Sequence, residues 1–167
     1  MATSLCEFLK AKKVVITELS GELISIAKKW IEKNKLKERI FIIDVKDKSL
    51  DELSKEILNI APEGIDTVLE ISGAESALNL GLKVIKRGGE VSLLGIPSTN
   101  NMNILDYTND VIFKGVNLYA IIGRRMFETW FQMLDFIESG LELFHIPNRI
   151  YKGLDNFFKG MEDFISH

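Results

Sequence analysis

Glu18 closes the run Val14-Val15-Ile16-Thr17, a β-branched stretch that reads as a buried strand. A carboxylate at the carboxyl end of such a strand can accept hydrogen bonds from ribose hydroxyls. Doubly wound nucleotide-binding sheets place an acid there, about 20 residues beyond a glycine-rich phosphate turn. Counting that distance back from Glu18 reaches or just precedes Met1, so residues 1–11 read as most of the helix that follows such a turn. The same carboxylate could instead face solvent or favour the positive N-terminus of the next helix, and both readings stand at this point. The other reactive side chains are scattered. Cys6 is the one cysteine and His145 and His167 are the two histidines, too few for the usual zinc spacings. His145, between Phe144 and Ile146, reads as a loop or packing residue. Cys6 has no nearby His or cation to favour a thiolate, so it reads as an inert thiol. Neither a Gly-x-Ser-x-Gly elbow nor a Walker-type loop is present, and Lys28-Lys29 with Lys33 to Lys37 reads as a solvated helix end.

The elements that would position Glu18 follow from two alternating periods. Further short apolar runs lie at Ile40 to Ile43, Thr67 to Glu70, Glu90 to Leu94 and Val116 to Ile122, giving five strands in all. Between them Leu23, Ile26, Ala27, Trp30 and Ile31 recur at helical spacing, as do Leu50, Leu53, Ile57 and Ile60. Ser49 with Glu52, and Ser72 with Glu75, have capping-box spacing. Lys86-Arg87-Gly88-Gly89 reads as the end of the helix that Ser72 opens, with cations against the negative end and glycine at the left-handed position. Phe127, Trp130, Phe131, Leu134 and Ile137 form one stripe of a later helix, expected to be core, and Leu154 to Ile165 reads as another helix. Strands alternating with crossover helices predict an α/β fold, a Rossmann-type doubly wound parallel sheet. The first element, Ala2 to Ala11, is a helix, so this sheet is expected to lack its first central strand and the glycine-rich loop.

Composition narrows the class of partner. The chain has 167 residues, 46% hydrophobic and 27% charged, which is globular rather than disordered. A net charge of −3 gives no electrostatic reason to bind nucleic acid or an anionic membrane. No apolar run approaches the roughly 18–20 residues of a membrane helix, and no signal peptide opens the chain. One cysteine excludes an internal disulfide and fits a reducing compartment, so a cytoplasmic location is expected.

Several stretches carry a resemblance. Leu93-Leu94-Gly95-Ile96-Pro97, Val111-Ile112-Phe113-Lys114-Gly115 and Gly123-Arg124-Arg125-Met126-Phe127-Glu128-Thr129-Trp130 closely resemble the L-threonine 3-dehydrogenases, zinc- and NAD-dependent members of the medium-chain dehydrogenase family. Val14 to Glu18, Leu69 to Ala74 and Ser139-Gly140-Leu141 match as well, so the similarity covers nearly the whole chain. It implies oxidation of threonine, a small-molecule substrate, to 2-amino-3-oxobutanoate with hydride passing to NAD, and a zinc ion that polarises the alcohol in the intact enzyme. It implies that Glu18 holds the adenosine ribose. By the same resemblance Leu94, Gly95 and Ile96 lie along the nicotinamide half, and Ile121 and Ile122 close over the carboxamide. Plain core packing is the alternative reading for Leu94, Ile96, Ile121 and Ile122. Gly95 would leave room for a ligand to approach the backbone.

Departures from the family matter too. Leu23 stands where an arginine near the adenine is common, and Arg125 stands where an acid is common. The zinc-ligand region and the phosphate loop have no counterpart here, and the family's closing strand would follow His167. The chain therefore reads as truncated at both ends, with residues 1–140 a truncated NAD-binding domain and 141–167 a segment leading toward the catalytic domain. No catalytic residue is expected in it, and NAD binding is expected to be weak or absent. Two other readings remain. One is a non-catalytic association module, a homo-oligomer formed through the apolar edge 116–122. The other is a methyltransferase-like sheet, against which the stretch from Leu94 to Trp130 argues. With the first strand absent, strands 14–17 and 67–70 would either pair directly or flank an open cleft; family geometry favours the cleft, with the first helix poorly anchored.

Overall fold

The computed structural model describes residues 2–143 and 149–165. His145 and His167 therefore lie outside the described residues. The chain divides into two compact units, residues 12–129 and residues 1–11 with 130–167.

The larger unit is the α/β fold. Its strands are β1 (Val14–Glu18), β2 (Ile40–Asp44), β3 (Ile65–Glu70), β4 (Ile85–Leu93) and β5 (Asn117–Ala120). Helix α2 (Gly21–Lys33) joins β1 to β2, α3 (Leu50–Ile60) joins β2 to β3, and α4 (Glu75–Val84) leads into β4. A short π-helical turn, Thr108–Ile112, precedes β5. Every pair is parallel, but the ladder is broken: β1 pairs with β2, and β3, β4 and β5 form a separate sheet in that order.

Handedness fixes where the break lies. Ile43 packs with Leu53 and Ile57 of α3 and Leu80 and Val84 of α4. Ile40, on the other face of β2, is also buried, and α2 lies against β1 and β2 on that side. With α2 and α3 on opposite faces, two right-handed crossovers advance in opposite directions, so β3 lies beyond β1 rather than beyond β2. Val15 of β1 and Ile65 of β3 rest on the same α3–α4 cluster. Yet β1 and β3 do not run side by side. The order is β2-β1, a gap, then β3-β4-β5. This is the cleft expected from the sequence.

Local chemistry explains the helix ends. The Ser49 Oγ accepts from Glu52 N at 3.3 Å while Glu52 accepts from Ser49 N at 2.8 Å, so the expected capping box forms. The second expected box does not. Ala74 is the N-cap of α4 and makes no side-chain cap; the Ser72 hydroxyl instead donates to Glu70 at 2.6 Å, and Glu75 accepts from Asn103 N at 2.9 Å. The Lys86-Arg87-Gly88-Gly89 ending is also corrected. Helix α4 stops at Val84, because Ile85 pairs with Ile65 and draws the next residues into β4. Gly88 does take a left-handed φ of 70°, but within that strand.

The smaller unit contains α1 (Ala2–Phe8), most of α5 (Glu128–Glu138) and α6 (Phe157–Ile165). The Phe8 and Phe136 rings meet at 5.8 Å and Ser4 is buried, so α1 is tied to α5 rather than poorly anchored. The α5 stripe is not core: Trp130, Phe131, Leu134 and Ile137 are exposed, and α5 and α6 bury no residue. Amphipathic spacing selects one face of a helix; it does not supply the surface that covers it. No helix of the described residues is long and apolar enough to cross a membrane.

Candidate cofactor site at the carboxyl ends of the strands

Parallel strands deliver their carboxyl ends to one side, and the residues singled out in the sequence arrive there in the larger unit. Glu18 ends β1, Glu70 ends β3, Leu94 to Ile96 leave β4, and Ile121 and Ile122 leave β5.

Glu18 is half-buried, and its Oε1 accepts from Leu19 N at 2.8 Å and Ser20 N at 2.9 Å. Ser20 is the N-cap of α2. The carboxylate thus holds the entry to that helix, one of the two roles its position allowed, and its other oxygen has no hydrogen bond within the described residues.

Glu70 is the residue that pattern reading missed. It is only 5% exposed, and its carboxylate accepts from Ser72 N at 2.9 Å, Ser72 Oγ at 2.6 Å and Gly73 N at 2.9 Å. Three short donors offset much of the cost of burying a charge. Its backbone carbonyl accepts from Leu94 N at 2.9 Å and Gly95 N at 3.1 Å. Glu70 therefore joins the turn after β3 to the turn after β4. The signal available was an acid closing an apolar strand just before Ser-Gly.

The two turns touch at glycines. A Cβ on Gly95 would overlap Gly73 N and lie 2.6 Å from Glu70 Oε2; one on Gly73, whose φ is 70°, would fall on the Ile96 carbonyl. The space beside Gly95 is filled by the chain's own backbone, so the close approach foreseen there is made by Gly73.

The aliphatic residues behave differently. Ile96 is 85% exposed and Ile122 95%, with Leu94 and Ile121 about half exposed, so core packing does not account for them. The Ile121 N–H donates to the Leu93 carbonyl at 3.0 Å, which holds the exits of β4 and β5 side by side. Four exposed aliphatic side chains thus stand at the exits of two neighbouring strands, beside a carboxylate-bound turn. Exposed apolar side chains there suit contact with one face of a planar, weakly polar ring.

The residues present fit the two ends of a dinucleotide. For its pyrophosphate the fit is poorer, because the amides of the turns that lead into α2 and α4 already bind Glu18 and Glu70. Among the described residues no three His, Cys, Asp or Glu side chains are grouped to hold a metal ion. A cavity of about 650 Å³ lies elsewhere, at the opposite end of β4, lined by Lys86, Arg87, Asp110 and Lys114. There Lys114 is already engaged, bonding the Leu82 carbonyl at 2.6 Å and Asp110 at 3.0 Å.

Comparison with known proteins gives a consistent picture. The family model described as zinc-binding dehydrogenase matches residues 1–139. An L-threonine 3-dehydrogenase from Vibrio cholerae is 35% identical over 162 residues, 97% of this chain and 43% of the relative. The chain thus spans less than half the length of the curated relatives it matches. An alcohol dehydrogenase zinc-binding domain protein from Burkholderia ambifaria superposes with a TM-score of 0.74 at 17% identity, covering 99% of this chain and 42% of that one. An E. coli alcohol dehydrogenase solved with NADH superposes with a TM-score of 0.64 at 13% identity, covering 84% and 37%.

Proposed function

The chain belongs to the zinc-binding dehydrogenase family, and from that premise we propose that it is the NAD-binding portion of an oxidoreductase resembling L-threonine 3-dehydrogenase. The observation that carries this reading is the exposure of Leu94, Ile96, Ile121 and Ile122 at the exits of two neighbouring strands; we take them as one apolar shelf. Identity of 35% to threonine dehydrogenases along nearly all of the chain supports threonine as the substrate of the whole protein. Bound NAD would supply the hydride acceptor. The chain's own residues have simpler tasks. The shelf excludes water from one face of the nicotinamide, Gly95 keeps the shelf close to β3, and Glu18 accepts from the adenosine ribose. Zinc has no fitting group of ligands among the described residues.

Glu18 supplies the test. A carboxylate that accepts from a ribose 2′-hydroxyl repels a 2′-phosphate, so NADH should be preferred over NADPH by tenfold or more. Saturation-transfer NMR with each dinucleotide at millimolar concentration measures this. Glu18→Gln should narrow the preference to about threefold or less. Equal binding of the two by the unaltered chain would overturn the reading.

One observation favours a second reading, association without catalysis. All four residues of β5 are exposed, and β5 pairs on one side only, with β4. Residues 116–122 would then add a second copy edge to edge. Sedimentation with and without NADH separates the readings: a dimer indifferent to NADH favours association alone.

A further inference from the structure

The cavity at the amino end of β4 takes no part in the site described above. Its volume of about 650 Å³ is that of a small-molecule site. Most of the charges that line it are already neutralised. The Lys114 Nζ donates to the Leu82 and Lys83 carbonyls at 2.6 and 2.9 Å and pairs with Asp110 at 3.0 Å. Lys86 is paired with Asp66. Two charges of opposite sign remain. The Arg87 guanidinium donates through Nη1 to the Phe113 carbonyl at 2.8 Å, which fixes its place and leaves its other N–H donors open. Glu63 has neither a hydrogen bond nor an ion pair among the described residues. Both line the same cavity without pairing to each other. Its apolar surface comes from Ile85, which is buried, and from Phe113, which is 63% exposed.

We propose that this cavity binds an α-amino acid with an apolar side chain, its carboxylate on Arg87, its ammonium group on Glu63 and its side chain against Phe113. The site lies at the opposite end of β4 from the candidate cofactor site and does not depend on the oxidoreductase reading.

The pattern of charge selects this class of ligand. The free donors of a guanidinium form a planar fork that matches a carboxylate, and a carboxylate accepts readily from an ammonium group. Neither Arg87 nor Glu63 has to break an ion pair within the described residues to make these contacts. A polyanion would gain Arg87 but bring its charge beside Glu63 and Asp110. A simple amine would leave Arg87 without a counter-charge, and a metal cation would meet Lys86, Arg87 and Lys114 on the same walls. The zwitterion alone answers both open charges. The backbone that carries them is fixed. Gly88 N donates to Lys114 O at 2.7 Å, and Gly64, next to Glu63, has a φ of 90° and lies so close to Val84 O and Lys86 N that a Cβ would not fit. Phe113 has two parts in the site, since its carbonyl places the guanidinium while its ring offers the apolar contact.

The probe is L-phenylalanine at millimolar concentration, added to the full chain labelled with ¹⁵N. Two analogues each lack one charge: 3-phenylpropionate has no ammonium group and phenethylamine no carboxylate. Phenylalanine should produce saturable shifts of the Gly64, Gly88 and Lys114 amides, and each analogue should bind at least tenfold more weakly. Arg87→Gln should weaken phenylalanine at least tenfold and leave phenethylamine unchanged. Glu63→Gln should weaken phenylalanine at least tenfold without weakening 3-phenylpropionate. Both side chains are exposed, and an unchanged amide spectrum away from the cavity checks that each variant is folded. The proposal is overturned if phenylalanine gives no saturable shifts, if they fall away from the cavity, if either analogue binds as tightly as the amino acid, or if either variant leaves phenylalanine binding unchanged.

Discussion

Replacing Gly95 by alanine tests the packing that holds the two site turns together. An added Cβ would overlap the Gly73 amide nitrogen, lie 2.6 Å from Glu70 Oε2 and 2.7 Å from Gly73 Cα. Two of these neighbours are backbone, so the strain cannot be relieved by turning a flexible side chain. Overpacking of this kind costs about 1–3 kcal/mol. Moving Gly73 also loosens its 2.9 Å bond to the buried Glu70 carboxylate, and bonds to charged groups contribute about 1.5–3 kcal/mol. These contributions overlap, so the expected loss is about 2–4 kcal/mol. For a chain this long that lowers Tm by about 5–12 °C. The control is Gly21→Ala at the first residue of α2, where a new Cβ meets nothing within 4 Å. It should change stability by less than about 0.5 kcal/mol. Urea unfolding followed by circular dichroism measures both variants. If Gly95→Ala matches the unaltered chain, or Gly21→Ala falls equally, the contact between the turns is not what the geometry says.

Removing the α3 cap with Ser49→Ala should cost about 0.5–2 kcal/mol in the same unfolding assay, because Glu52 N loses its acceptor. Glu52, Asp51, Asp66 and Asp106 are held below the usual carboxylate range, by hydrogen bonds from Ser49, Lys83, Lys86 and Asn109 respectively. Folded-state values below the unfolded ones mean that this stabilisation is complete above about pH 4.5 and is lost as pH falls through the folded values. Tm should therefore drop below about pH 4, and Asp51→Asn should flatten part of that drop; an unchanged slope contradicts the Lys83 assignment. Stoichiometric zinc should leave Tm unchanged, since no ligand group of three is present among the described residues; a reproducible rise refutes this.

Local and tertiary signals differed in how far they could be read. The Ser49 box was legible because both partners lie within four residues and nothing else competes for them. The Ser72 box has the same spacing but fails, because Glu70, buried by the fold, takes the serine. The end of α4 was misplaced for a related reason: Lys86-Arg87-Gly88-Gly89 has helix-ending chemistry, but pairing with β3 claims it first. The exposed stripe of α5 shows the limit of periodicity, which marks a face without providing its cover. In the site, Glu18 and the four aliphatic residues could be placed by their positions at strand ends. Glu70 could not, because its importance comes from contacts between two turns more than 20 residues apart.

The central claim is that the strand exits receive the two halves of a dinucleotide at separate places. Methyl and amide shift mapping with the halves supplied separately tests it most directly. Nicotinamide mononucleotide should shift the methyls of Leu94, Ile96, Ile121 and Ile122 and leave Leu19 and Ser20 unmoved. Adenosine monophosphate should do the reverse, shifting the Leu19 and Ser20 amides that Glu18 holds. Shifts that coincide for the two halves, or that gather around Lys86, Arg87 and Lys114 instead, would contradict the account.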